Sequence, residues 1–323
     1  MGVKNLAAAI VFAVTASLAT NTAMAASATD QALKLAEKIT YHYADVGGIK
    51  IFYREAGDSR KPTILLLHGF PSSSHMFREL IPRLSPHFHI IAPDYPGFGN
   101  SDAPSADQFT PTFVNLADVM EAFVVKMGIT HLLVYMQDFG GPVGFRLAVK
   151  HPEWIDGLVV QNANAYLDGL SAHFLKDVRE RSGVLSAEQK SAIDHIVSPE
   201  STKHLYLHGT RNPDGLSPDG LNMDAYTLQN PDSHRIQSAL ITNYYTNVDQ
   251  YPKWQEFLKA KQPPTLIVWG KNDMIFLSAG AEAFKRDVPK TEIHYYDTGH
   301  FALEEDVEPI SKEIIRFFGR LKR

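Results

Sequence analysis

His131-Leu-Leu-Val-Tyr-Met-Gln-Asp138-Phe-Gly-Gly-Pro142 joins an apolar, strand-like run to a glycine-rich segment that opens a helix, with a carboxylate at the junction. A strand that passes through a tight turn directly into a helix presents the turn side chain at the carboxyl edge of a sheet, where ligands bind in open α/β folds. Asp138 is therefore the candidate nucleophile. A carboxylate is a poor choice for attacking an ester carbonyl but a reasonable one for displacing a leaving group from an sp3 carbon, which leaves an alkyl ester on the protein. The chemistry this favours is hydrolysis of an epoxide or of a carbon–halogen bond. Aspartate is also a common helix N-cap, so the reading depends on partners elsewhere in the chain.

Outward from this turn, short apolar or β-branched runs recur at Ile49 to Glu55, Thr63 to Leu67, His89 to Pro93, His131 to Met136 and Ile155 to Gln161. Segments of helical period, Met76 to Leu84 and Phe113 to Met127, separate several of them. Strands alternating with helices predict a mostly parallel sheet with helices on both faces. Two more strands, Thr265 to Trp269 and Glu292 to Tyr296, follow about a hundred residues later, with helices expected near Ser278 to Asp287 and Glu308 to Leu321. Between them, Ser171 to Arg181, Ala187 to Ile196 and His234 to Asn243 read as helices, interrupted by the turn-rich stretch from Arg211 to Gly220. The expected organisation is a sheet domain over 42–165 and 262–323 with a helical cap inserted at 166–261. There are no internal repeats or low-complexity tracts.

The 323 residues are 44% hydrophobic and 21% charged, an ordinary globular composition with room for one large core. Lys4, the apolar run Leu6 to Leu18 and Ala23-Met24-Ala25 read as the three regions of a secretory signal peptide over residues 1–25. Export is expected, with no membrane span in the mature protein, because the apolar run is shorter than the ~20 residues a spanning helix needs. Losing Lys4 would move the formal net charge from -5 to -6, which offers no electrostatic footprint for nucleic acid. With no Cys there can be no disulfide and no thiolate site. No metal motif is present: His204 and His208 share helical spacing but lack a carboxylate partner, and Gly97-Phe-Gly99 lacks the rest of a dinucleotide fingerprint. No cofactor is implied.

Three motifs in order now carry a resemblance: His68-Gly-Phe-Pro71 after a strand, Gln137-Asp-Phe-Gly-Gly141 at the turn, and Gly270-Lys-Asn-Asp273 followed by Asp297-Thr-Gly-His300. From about Tyr43 onward the chain resembles an α/β-hydrolase of the epoxide hydrolase and haloalkane dehalogenase branch. The resemblance implies Asp138 as nucleophile, His300 as the base that activates water against the ester, and Asp273 as the acid that orients His300. Asp297 reads as a turn residue, and the alternative acid position, Gln161-Asn-Ala-Asn164, has no carboxylate. The backbone N–H groups of Phe70 and Phe139 would form the oxyanion hole. In the cap, Asn243-Tyr-Tyr245-Thr-Asn247 resembles the segment where epoxide hydrolases carry a proton-donating Tyr, and Tyr245 is the matching position, although the same pair also reads as an aromatic helix face packed on the core. His173 and Tyr206 are candidates for a second cap donor.

Two positions depart from the family pattern. Met136 stands where the turn usually has a small residue and threatens to crowd it. Dehalogenases typically hold the halide with side-chain N–H donors, commonly a Trp after the nucleophile and often an Asn in the HGxP loop, and both positions are Phe here. The resemblance therefore implies hydrolysis of a small, largely apolar epoxide to a vicinal diol. The alternatives are a haloalkane dehalogenase, or a binding protein on the same fold that would have no need for Asp138, Asp273 and His300 together.

Overall fold

Alternating side chains divide each central strand between two apolar layers. In the strand Thr63–Leu67, Ile64 and Leu66 enter one buried cluster while Leu65 and Leu67 enter the other, and Leu133 and Tyr135 are separated in the same way from Leu132, Val134 and Met136. The period of two along an extended chain produces this division. A sheet apolar on both faces has to be covered on both.

The computed structural model describes residues 38–319. Its eight strands are β1 (Thr40–Val46), β2 (Ile49–Ala56), β3 (Thr63–Leu67), β4 (His89–Pro93), β5 (Leu132–Gln137), β6 (Ile155–Gln161), β7 (Thr265–Gly270) and β8 (Glu292–Tyr296). They lie in the order β1-β2-β4-β3-β5-β6-β7-β8. Pairing is antiparallel for β1 with β2 and β2 with β4, and parallel for the rest. The sheet is mostly parallel, as expected. Helix α1 (Leu80–Leu84) and α12 (Leu303–Phe318) contribute to one apolar layer, and α2 (Phe113–Lys126), α3 (Gly140–Lys150) and α11 (Ser278–Ala283) to the other. Between β6 and β7 the chain forms α4 (Ala172–Glu180), α5 (Ala187–Ile196), α6 (Pro199–Leu207), α7 (Pro218–Thr227), α8 (Pro231–Asn243), α9 (Tyr245–Val248) and α10 (Tyr251–Lys261). The signal-peptide reading of residues 1–25 lies outside the described residues. Among those described, no helix is long and apolar enough to cross a membrane.

Several elements differ from the sequence expectation: α6 and α10 were not among the helices read there, and three further differences have a clear physical cause. Strand β1 was not anticipated: its outward residues include Tyr41 and Tyr43, more than half exposed, so it lacks a fully apolar run. It is instead defined by a hairpin whose turn residues Gly47 and Gly48 adopt φ of 60° and 87°, a conformation glycine takes without steric cost. Helix α7 begins inside the turn-rich stretch because Ser217 caps it, accepting from the Asp219 N–H, with Pro218 in the first turn. Helix α12 starts at Leu303 rather than Glu308, with a kink at Asp306 just before Pro309.

Tight backbone approach places the turn after β5. A Cβ at Gly140 would lie 2.2 Å from the Leu67 carbonyl oxygen of β3. Met136 is accommodated by the same device: a Cβ at Gly144 would sit 2.4 Å from its sulfur, so the residue expected to crowd the turn fills space that Gly144 leaves. Gly140→Ala is expected to destabilise the fold by about 1–3 kcal/mol, the usual cost of overpacking against backbone that cannot move away. Urea unfolding measures it, and an unchanged midpoint would contradict the close approach.

Candidate active site

Asp138 occupies left-handed backbone, φ 49°, at the step from β5 to α3, and only 6% of it is exposed. A Cβ on Gly69 would fall 2.3 Å from the Asp138 Cβ, so glycine at 69 lets the 68–71 loop lie against the carboxylate. That loop is fixed from behind by His68. Its ring is fully buried, with Nδ1 3.0 Å from the Gly69 carbonyl and Nε2 accepting from the Tyr95 N–H at 3.1 Å. Burial pulls the His68 pKa down to about 3, so the ring is a neutral brace.

The Phe70 N–H donates to Asp138 Oδ1 at 2.7 Å, and the Phe139 N–H also bonds the carboxylate. Both backbone donors named from the sequence therefore converge on Asp138. Burial pushes the Asp138 carboxyl up to about 6, against the opposing pull of the nearby His300 and of the two N–H bonds.

His300, 2% exposed, directs Nδ1 at Asp273 Oδ2, 2.8 Å away, and Nε2 at Asp138 Oδ2, 3.9 Å away. With a carboxylate as its partner Nδ1 carries the proton, leaving Nε2 free to act as a base. In this state the Gln137 amide nitrogen sits 2.9 Å from Nε2. Burial alone would lower the His300 pKa, but the charge and hydrogen bond of Asp273, aided by Asp138, outweigh it and the net shift is upward. Asp273 is held by the Ile275 N–H on Oδ1 at 2.7 Å and by the Asn162 amide on Oδ2 at 2.8 Å.

In the sequence Asn162 stands out only as part of a segment without a carboxylate. In left-handed backbone at the end of β6, it bonds Gly270 through both its oxygen (2.9 Å) and its nitrogen (3.1 Å) and so fixes the turn that carries Asp273. Asp297 is exposed and pairs with Lys271 at 3.0 Å.

An aromatic wall surrounds the two carboxylates and the imidazole. Phe139 packs against Phe70, Phe113 and Tyr244 with ring centres 5.7, 4.8 and 6.2 Å apart, and Phe276 packs against His300 at 5.9 Å. Phe174 closes the set against Tyr244 and Phe276.

The phenol that the helices between β6 and β7 bring to this wall is Tyr244, close enough to Asp138 for that charge to disfavour its ionisation. Tyr245 is half-buried, packs on the larger apolar core and has no ring contact with these residues among those described. One residue along a helix is a rotation of about 100°, enough to exchange which neighbour faces the site. His173 is exposed, while its neighbour Phe174 joins the wall. Tyr206 is buried elsewhere, donating to Asp224 at 2.6 Å and stacking on Phe301.

Glu292, His294 and Glu313 offer ligand atom types within 4.8 Å of one another, but Arg316 already bonds both glutamates. Among the described residues that cluster stands at the β8 edge of the sheet, apart from Asp138 and His300.

Nucleophile-type turn, buried imidazole and supporting carboxylate on an eight-stranded sheet define a hydrolase-type site. Residues 62–307 match the alpha/beta hydrolase fold family, and the chain belongs to it. It is 42% identical over 275 residues to Uncharacterized hydrolase YNR064C of Saccharomyces cerevisiae, covering 84% of this chain and 94% of that one. A haloalkane dehalogenase of Bradyrhizobium diazoefficiens is 37% identical over 121 residues, 38% of each chain. Epoxide hydrolase 3 of Mus musculus is 25% identical over 248 residues, 74% of this chain and 65% of that one. The crystal structure of wild-type Cfl2 from Burkholderia cenocepacia has the same fold, with a TM-score of 0.72 at 22% identity over 87% of this chain and 96% of that one. The protein is a hydrolase of the α/β-hydrolase superfamily with dehalogenase and epoxide hydrolase relatives.

The His300 balance can be tested without substrate. Asp273→Asn removes the charge that offsets burial, so the His300 pKa should fall below its ordinary value, as followed by NMR of the imidazole nitrogens. A pKa that stays raised in the variant would show that Asp273 is not its cause.

Proposed function

We propose that the protein hydrolyses a small, largely apolar epoxide to a vicinal diol through a covalent ester on Asp138. The observation that carries this reading is the division of labour on one carboxylate: Oδ1 is tied to backbone N–H and Oδ2 faces His300 Nε2. In the proposed first step Oδ2 attacks an epoxide carbon, the ring C–O bond breaks, and the ring oxygen takes the proton of Tyr244. In the second, a water displaces the Gln137 amide at Nε2, gives its proton to His300 and attacks the Asp138 carboxyl carbon. Negative charge then develops on Oδ1, where the Phe70 N–H already points and the Phe139 N–H lies close to the same carboxylate, and Asp273 stabilises the imidazolium. Collapse of this intermediate returns the His300 proton to the departing diol oxygen. Tyr244 takes the role that the sequence assigned to Tyr245.

Epoxide opening is preferred to dehalogenation because of what the aromatic wall offers a leaving group. Phe70 and Phe139 have no side-chain N–H, and the Trp269 indole N–H is used by the Phe276 carbonyl at 3.3 Å. The Tyr244 phenol supplies the hydrogen bond an alkoxide needs and a halide does not. Likeness to a haloalkane dehalogenase over 121 residues supports dehalogenation as the second reading. The helices from α4 to α10 are proposed to act as a cap over 166–261 that brings Tyr244 and Phe174 to the site and excludes water. The signal-peptide pattern of residues 1–25 supports export, and the protein is proposed to act outside the cytoplasm.

Parallel assays on epoxide and haloalkane panels, scoring diol and halide, test the reading. Diol is the expected product, and Tyr244→Phe should slow epoxide opening by at least about tenfold, since general acids contribute ~10²–10⁴, with any halide release unchanged. Halide without diol from any epoxide would sink the proposal in favour of dehalogenation. The nucleophile works only as an anion, so kcat/KM should rise with pH through about 6, where burial holds the Asp138 carboxyl. A rate flat from pH 5 to 7 would remove that carboxylate from the free-enzyme profile.

A further inference from the structure

Tyr244 has a second set of neighbours that the mechanism above does not use. Arg146, on α3, has its guanidinium carbon 5.7 Å from the centre of the Phe113 ring and 5.6 Å from that of Trp254. Each of these rings also touches a phenol. Phe113 meets Tyr244 edge-on at 5.9 Å, and Trp254 lies against Tyr251 at 5.2 Å. One guanidinium N–H donates to the Pro142 carbonyl at 3.1 Å, whereas the buried Nη2 has no hydrogen-bond partner. The Tyr251 hydroxyl is buried with the Tyr244 hydroxyl as its polar neighbour, and both side-chain atoms of Asn247, three residues after Tyr244 and four before Tyr251, are buried without a partner. No carboxylate pairs with Arg146 among the described ion pairs.

A partly buried guanidinium without a counter-ion and with a buried, unused N–H is costly to maintain. That cost is reduced if negative charge arises beside it during turnover. Epoxide opening produces such a charge, because transfer of the Tyr244 proton to the ring oxygen leaves a phenolate. Burial makes Tyr244 a weaker acid, Tyr251 and Asp138 add to this, and Arg146 opposes it. Burial lowers Arg146 itself only to about 10, so it stays cationic at neutral pH.

We propose that Arg146 is a positioning residue that stabilises the Tyr244 phenolate formed as an epoxide opens. The inference rests on the epoxide reading. Protons balance over the cycle: Tyr244 protonates the ring oxygen, and ester hydrolysis leaves Asp138 as a carboxylic acid whose proton, on ionisation, restores Tyr244. Asn247 lies on the helical turns between the two phenols.

A double-mutant cycle distinguishes this role from packing. Formation and hydrolysis of the alkyl-enzyme are followed in single turnovers of styrene oxide for wild type, Arg146→Met, Arg146→Lys and Arg146→Gln, and for each change combined with Tyr244→Phe. Arg146→Met is expected to slow ester formation by roughly 10- to 100-fold, the scale of one charge several ångströms away at a protein-like dielectric. Ester hydrolysis should stay unchanged, Arg146→Lys should recover part of the loss, and neither Arg146→Met nor Arg146→Gln should slow the enzyme further once Tyr244 is Phe. Effects that add to Tyr244→Phe, or that slow both steps equally, would overturn the proposal. Arg146→Gln, which removes the charge but keeps a polar head, keeps the test decisive if Arg146→Met does not fold. Wild type that forms no alkyl-enzyme from any epoxide would overturn the epoxide reading and this inference with it, whereas normal ester formation with an additive cycle would remove only the role of Arg146.

Discussion

Asp138 bears two costs at once: left-handed backbone at φ 49° and an anion removed from water. The first is about 1–2 kcal/mol for a residue with a side chain, and the second is larger unless the charge is well bonded. The Phe70 N–H bond to the carboxylate, at roughly 1.5–3 kcal/mol for a bond to a charged group, offsets the strain, and the nearby Phe139 N–H helps offset part of the desolvation. Those donors reach the carboxylate only because Gly69 and Gly140 let neighbouring backbone come within van der Waals range. Holding this one side chain thus dictates the glycines, the His68 brace and the register of β3 against β5.

The incompletely offset desolvation has a chemical consequence. On the proposed mechanism a carboxylate left partly unstable in its site is a better nucleophile than one buried in a dense shell of donors; the charge of Asp273 adds to that instability, and His300 opposes it without bonding Oδ2 directly. Asn162 belongs to the same design. By clamping the start of the β7 turn it gives Asp273 a fixed position relative to His300, although the two residues lie on different loops. The aromatic wall excludes water from around these charges, which strengthens every interaction among them.

The strand periods and the order of the three motifs made the sheet, its parallel character and the set of Asp138, Asp273, His300, Phe70 and Phe139 legible in the sequence. Three features were not, each for a physical reason. β1 carries exposed tyrosines and owes its place to a glycine hairpin rather than to an apolar run. Asn162 acts through its amide and its left-handed backbone, neither of which leaves a mark in composition. The choice between Tyr244 and Tyr245 depends on helix phase at the junction of α8 and α9, where Tyr244 ends one helix and Tyr245 begins the next. A motif fixes such a pair to within a residue, and a residue is enough to reverse which phenol faces Asp138.

The central claim is that substrate becomes bonded to Asp138 before water enters. A single turnover of wild-type enzyme in water labelled with heavy oxygen, with excess protein over styrene oxide, tests it directly. Attack on the ester carbonyl carbon puts the label into the carboxyl group of Asp138, where peptide mass spectrometry should find it, and leaves the diol unlabelled. Label in the diol with none in the Asp138 peptide would mean that water attacks the substrate itself, and would contradict the account.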